Sequence, residues 1–183
     1  MPTLPLPLTD ADILPLRAGD SIRISGVLYT ARDAAHKRLV ELLERGEPLP
    51  VELSGQALYY VGPAPAKAGH AIGPAGPTTS GRMDSYTIPI LRLGVKFLIG
   101  KGYRSEEVKA ALVEHRAVYA AAVGGAAALL ARHIRSSRVV AWPELGIEAI
   151  HELTVEDFPV IVINDCHGGD AYADGRRAWE EGG

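Results

Sequence analysis

Four stretches of this chain combine residue types that could do chemistry. In residues 74–82 (PAGPTTSGR), the hydroxyls of Thr78, Thr79 and Ser80 and the guanidinium of Arg82 fall where a helix should begin. Free backbone N–H groups and the positive end of the helix dipole attract anions there. The glycines at 76 and 81 would let a ligand approach the main chain, and Arg82 offers a two-pronged fork for a carboxylate or phosphate. A helix cap at Thr79 or Ser80 with Arg82 as a surface charge fits the same spacing. Residues 32–38 (RDAAHKR) are a second basic group at a helix start. A cation in the first turn opposes the dipole, so Arg32 needs another reason for its place, such as an anion bound beside the free N–H groups. His36, four residues on, shares its face and could donate to the same ligand. The plainer reading is a solvated basic face with His36 satisfied by a backbone carbonyl. Lys101, between Gly100 and Gly102, follows an apolar strand, the place where α/β proteins open a ligand crevice; it also fits a turn lysine. Cys166-His167 sets a thiol beside an imidazole, but sequence neighbours seldom point together and no Asn or Asp partner is identifiable, which argues against a nucleophile and base.

The elements that must hold these residues alternate between β and α. Residues 21–29 carry Ile22, Ile24, Val27 and Leu28 around Gly26 and read as a strand with a bulge at the glycine. Thr30 reads as the N-cap, with Asp33 as the capping-box acid, of an amphipathic helix over 31–45 that Gly46 stops. Residues 57–61 and 70–73 read as the arms of a hairpin. The 74–82 loop should feed a helix running towards Leu93, broken or kinked at Pro89. A strand over 96–99 precedes Lys101, and Ser105 caps a helix whose first turn holds Glu106 and Glu107, acids suited to its positive end. Residues 117–123 read as a buried strand, 124–125 as a turn, 126–133 as a short helix, and 139–142 and 159–163 as the last strands. The pattern predicts a three-layer α/β domain with a mixed sheet. Its expected extent is 21–175, after a Pro-rich extended arm at 1–20 and before a fraying tail at 176–183.

With 47% apolar and 22% charged residues, the 183-residue chain can bury one sizeable core. A net charge of −3 supplies no basic field for nucleic acid or anionic lipid. The first residues lack a cationic segment ahead of an apolar run, and the apolar stretch 117–131 is shorter than the roughly 20 residues a membrane span needs, so a cytoplasmic protein is expected. Cys166 is the only cysteine, so no intrachain disulfide can form and no set of thiolates can hold zinc or an iron–sulfur cluster. Any cluster must come from another chain.

The run GPTTSGRMDSYT (76–87), followed by IGKG (99–102), resembles the C-terminal region of class I fumarases and the small subunits of related two-subunit hydro-lyases. RDAAHKR (32–38), AVYAAAVGGAAALLA (117–131), PELGIEAIHEL (143–153) and VEDFP (155–159) resemble the same family in the same order. The resemblance implies a swivelling β/β/α domain paired with a larger subunit whose three cysteines hold a [4Fe–4S] cluster, in an α2β2 assembly. It implies reversible hydration of fumarate to (S)-malate. Thr78 would be the catalytic hydroxyl, and Arg32, Thr79, Arg82 and Lys101 would bind the dicarboxylate, with His36, Ser80 and Asp84 behind them. Dehydration of L(+)-tartrate or another hydroxy-dicarboxylate uses the same residue types. A non-catalytic dicarboxylate-binding or assembly module is the alternative of a different class. Gly168-Gly169 departs from the Gly-Asn pair frequent in the family.

Overall fold

Residues 57–61, 97–100 and 118–120 are buried along their whole length, which marks strands covered on both faces rather than one. In the computed structural model, which describes residues 1–66, 69, 71–122 and 127–181, they form the centre of a mixed seven-stranded sheet. In chain order the elements are β1 (Thr3–Pro5), α1 (Asp10–Ile13), β2 (Ser21–Thr30), α2 (Asp33–Glu44) and β3 (Ala57–Tyr59). A 3-10 turn at Ser80–Met83 then runs into α3 (Asp84–Leu91), followed by β4 (Phe97–Gly100), α4 (Glu106–Glu114), β5 (Val118–Ala121) and α5 (Ala127–Ala131). The chain finishes with β6 (Ile134–Ala141), a 3-10 stretch at Pro143–Glu148, β7 (Ile150–Asn164) and α6 (Ala171–Glu181).

Strands β1 to β5 lie parallel in sequence order, and β7 runs antiparallel to β5, β6 and β2. Because β7 pairs with β2 as well as β5, strands β2, β3, β4, β5 and β7 close into a ring. Side chains alternate across it. Ala57, Tyr59, Phe97, Ile99, Val118 and Ala120 join a core with Phe158 and Val160, whereas Leu58, Tyr60, Leu98 and Tyr119 face Leu39, Ile90 and Leu112 of α2, α3 and α4. One core therefore fills the closed sheet and the other lies between sheet and helices.

The bulge at Gly26 and the Ser105 cap are as expected: register shifts between Ile24 and Gly26, and Ser105 Oγ accepts from Val108 N. Several expectations are corrected. Thr30 ends β2 instead of capping α2; its hydroxyl accepts from His151 N, and Arg32 takes the cap position. No hairpin forms at 57–73 among the described residues, because β3 is held between the parallel strands β2 and β4; His70 lies outside the described residues. Pro89 sits in the last turn of α3, which stops two residues later. The turn expected at 124–125 also lies outside the described residues. Residues 139–141 and 159–163 prove to be parts of the longer β6 and β7, whereas Trp142, expected in the strand, lies past the end of β6 and precedes the 3-10 stretch. The N-terminal stretch packs on its own chain, through β1 against β2 and through buried Leu8, Ile13 and Leu16, and the C-terminal stretch forms α6.

Candidate active site

The C-terminal ends of β2, β3 and β4 come together, and the chemistry-bearing stretches lie directly beyond them. Ala31 N donates to Tyr59 O (3.1 Å), Tyr60 N to Ile99 O (2.8 Å) and Thr78 N to Tyr60 O (2.7 Å). These bonds lace the starts of both basic segments to the ends of the strands, the location where open α/β sheets form ligand crevices. Thr79 pairs with Lys101 in an isolated parallel bridge. Ser80 N donates to Lys101 O (2.9 Å), and Lys101 N donates to Ser80 Oγ (3.0 Å). Thr78, Thr79, Ser80 and Lys101, far apart in sequence, thus share one rim. Buried Ser80 is its brace, while Thr79 and Lys101 are exposed and Thr78 is half-buried.

Gly100 exists for this brace. A Cβ there would collide with Ser80 Oγ and stand 3.0 Å from Tyr60 Cδ2. Gly76 is closed in by Ala127, 3.1 Å from where its Cβ would be, so that glycine serves packing. Gly81 is exposed, with only ordinary contact at 3.6 Å from the Tyr103 carbonyl.

The two arginines meet through Asp33. Arg82 Nε donates to Asp33 Oδ1 (3.0 Å), and Arg32 Nη2 lies 3.9 Å from Asp33 Oδ2 and 3.3 Å from Glu148 Oε1. Arg82 is 54% exposed along its side chain and Arg32 only 18%, with its Nε buried and without an acceptor. The pairing orients both forks; at this exposure it adds little stability, of order 0–1 kcal/mol for the Arg82 contact. Gly62 gives Arg32 its passage, since a Cβ would come within 2.9 Å of Nη1. Glu148 does two jobs, because its Oε2 also accepts from Ala34 N (3.0 Å) and so caps α2 from a remote segment.

His36 lies beneath this surface. It is fully buried, with Nδ1 2.9 Å from the Arg32 carbonyl, and burial pushes its pKa down to about 4 despite that bond. It is a neutral imidazole bracing the Arg32 backbone, with no path to a ligand at the rim. Asp84 accepts from Arg104 Nε (2.7 Å) and from Ser105 N (2.7 Å), which commits both oxygens to the protein. Cys166-His167 stands apart from the rim: Cys166 is buried with its thiol pKa raised by burial, and His167 Nε2 lies 2.8 Å from the Leu14 carbonyl. Asp165 accepts from Ala18, His167 and Gly169 backbone N–H groups, and a Cβ on Gly169 would strike that carboxylate. That turn ties the N-terminal segment to β7. Sequence reasoning missed Glu148 and Arg104, neither of which stands in a local pattern.

Clefts beside α5 and along β6 are lined by none of these residues. Among the described residues no group of three or more His, Cys, Asp or Glu side chains could hold a metal. With one buried cysteine, this chain does not fit as the holder of an iron–sulfur cluster.

The chain is 41% identical over 157 residues to Fumarate hydratase 2 of Leishmania major, covering 85% of this chain and 28% of that protein. It is 41% identical over 154 residues to the anaerobic class I fumarate hydratase of Escherichia coli, covering 82% of this chain and again 28% of the relative. The chain therefore spans just over a quarter of these fumarate hydratases. A putative L(+)-tartrate dehydratase subunit beta from Methanocaldococcus jannaschii matches at 38% over 171 residues, 90% of this chain and 88% of that subunit. The family model described as the fumarase C-terminus matches residues 3–175, and with a rim of hydroxyls and cations at three strand ends, the chain belongs to that family.

Proposed function

We propose that this chain is the small subunit of a two-subunit hydro-lyase that interconverts fumarate and (S)-malate, and that its rim forms one wall of a shared active site. The observation that carries the reading is the convergence of Arg32, Arg82 and Lys101 with Thr78 and Thr79 at the ends of β2, β3 and β4. A dicarboxylate needs cations at both ends. Removing a proton beside a carboxylate builds an electron-rich aci-carboxylate, which fixed cations stabilise and bulk water does not. Arg32, Arg82 and Lys101 supply that charge, and Thr79 orients the substrate. In the dehydration direction the Thr78 oxygen takes the proton from the substrate carbon as its own hydroxyl proton passes to a carboxylate of the larger subunit. A [4Fe–4S] cluster held by the larger subunit would polarise the substrate hydroxyl, and the reading includes a swivelling three-layer domain in an α2β2 assembly.

The test is anaerobic mixing of this chain with its reconstituted larger partner. Fumarate hydration should require both. Turnover by this chain alone, or none from two folded subunits together, would overturn the reading. In the active complex, Thr78→Ala should lower kcat by about 10²-fold or more with little change in KM, whereas Arg82→Ala should impair both. The near full-length match to a putative tartrate dehydratase subunit favours a second reading, dehydration of L(+)-tartrate on the same rim. Relative kcat/KM for the two substrates decides between them.

A further inference from the structure

Among the described residues Arg104 is the one buried lysine or arginine, with none of its side chain exposed. Its guanidinium joins the two segments on which the rim depends. Nε donates to Asp84 Oδ1 (2.7 Å) and Nη2 to Thr87 Oγ1 (2.7 Å), both on α3, the helix that continues the Arg82 turn. Nη1 lies 3.4 Å from the Tyr60 hydroxyl, beyond the end of β3, and the group sits over the rings of Tyr60 and Tyr119 at 5.4 and 4.9 Å. Arg104 itself belongs to the turn after Lys101. That turn is fastened again where Ser105 N donates to Asp84 Oδ2 and where the Tyr119 hydroxyl donates to Gly102 O (2.8 Å) and stands 3.0 Å from Ser80 Oγ.

A buried cation is costly to hold, and apolar side chains of similar volume usually stabilise a core as well or better. Burial works against the Arg104 charge, yet the Tyr60 hydroxyl and the Asp84 carboxylate outweigh it and hold the pKa above the ordinary value. What the planar fork adds is geometry, since several donors leave one rigid group at fixed angles. We infer that Arg104 is a positioning residue that fixes the separation between the Thr78–Arg82 segment and Lys101, and so sets the spacing at which the rim grips the two carboxylates of its substrate. This rests on the dicarboxylate reading above and adds to it the element that measures substrate length.

The spacing role predicts a change in discrimination. In the complex with the larger subunit, succinate should inhibit far more strongly than butyrate, which has the same carbon count and one carboxylate. Arg104→Lys keeps the charge and loses the fork. It should shrink the ratio of the two inhibition constants about tenfold or more, the worth of one charge-assisted hydrogen bond. A ratio is insensitive to how much enzyme is folded, so a purely structural role would leave it unmoved. Thr87→Val, which at constant shape removes the Nη2 acceptor together with the hydroxyl's own bond to the Met83 carbonyl (2.8 Å), should move the ratio the same way and stands in should Arg104→Lys not fold. Folded variants with the wild-type ratio would overturn the inference while leaving the dicarboxylate reading intact. A wild-type complex without preference for succinate would remove that reading and the inference together.

Discussion

His36 shows how one residue can serve a charged surface without touching it. Its Nδ1 lies 2.9 Å from the Arg32 carbonyl, so the neutral ring carries its proton there, and buried Nε2 has no partner. Burial is the main cause of its depressed pKa, and the Arg104 charge pushes the same way, while the Arg32 carbonyl and Asp33 oppose both. With a folded value of about 4 against an unfolded value near 6.5, the unfolded chain binds the extra proton first as pH falls. Stability from this group is therefore complete above the unfolded pKa and is lost progressively between about pH 6.5 and about pH 4, by at most about 3 kcal/mol. His36→Asn retains an N–H for the Arg32 carbonyl and cannot titrate. Urea midpoints followed from about pH 7 to about pH 4 should fall less steeply in this variant than in the wild type. Parallel slopes would show that His36 does not govern acid stability.

At the scale of elements, the site depends on how closely the end of β4 approaches the 3-10 turn that begins at Ser80. Gly100 makes that approach, and Ser80 Oγ occupies the space that a Cβ would need. Gly100→Ala should destabilise by about 1–3 kcal/mol, because Ser80 is held by Lys101 N and cannot swing aside. Adding Ser80→Ala removes the colliding oxygen, so the double variant should be more stable than the sum of the two single losses predicts. Additive losses in urea unfolding would place the strain elsewhere. Much of this level is legible from sequence where the signal is local. The periodicity of α2, the Ser105 cap and the bulge at Gly26 each lie within a dozen residues. The long β7 is not legible, because Glu152, Thr154, Glu156 and Asp157 interrupt its apolar pattern and its pairing partners lie in distant segments. The same holds for Arg104, whose carboxylate and aromatic partners come from α3, β5 and the end of β3. Motif spacing marks Thr78, Arg82 and Lys101 as candidates, but it carries no sign that Asp33 and Glu148 orient the arginines.

The whole molecule is organised by the closure of the sheet, in which β7 joins the first long strand to the last parallel one. Pairs from Ser21 with Ile161 to Tyr29 with Glu152 seal the ring across more than a hundred residues of chain. Opening that seam cannot remain local, since β7 also carries β5 and β6. Phe158 sits at the seam, fully buried, edge-on to Tyr59 at 5.4 Å, and the Tyr59 hydroxyl donates to the Ala75 carbonyl just ahead of the Thr78 loop. The interior packing thus reaches the rim through one tyrosine. Phe158→Ala should cost about 3–5 kcal/mol, the usual loss for emptying a large aromatic site in a core. If the ring is one cooperative unit, Trp142 fluorescence, read in a Trp179→Phe background that removes the exposed tryptophan of α6, and far-UV circular dichroism should shift to lower urea together, with an unchanged denaturant slope. Two separated transitions would mean that β6 and β7 open before the parallel strands, and the rim at the ends of β2, β3 and β4 would then outlast the seam that closes the sheet behind it.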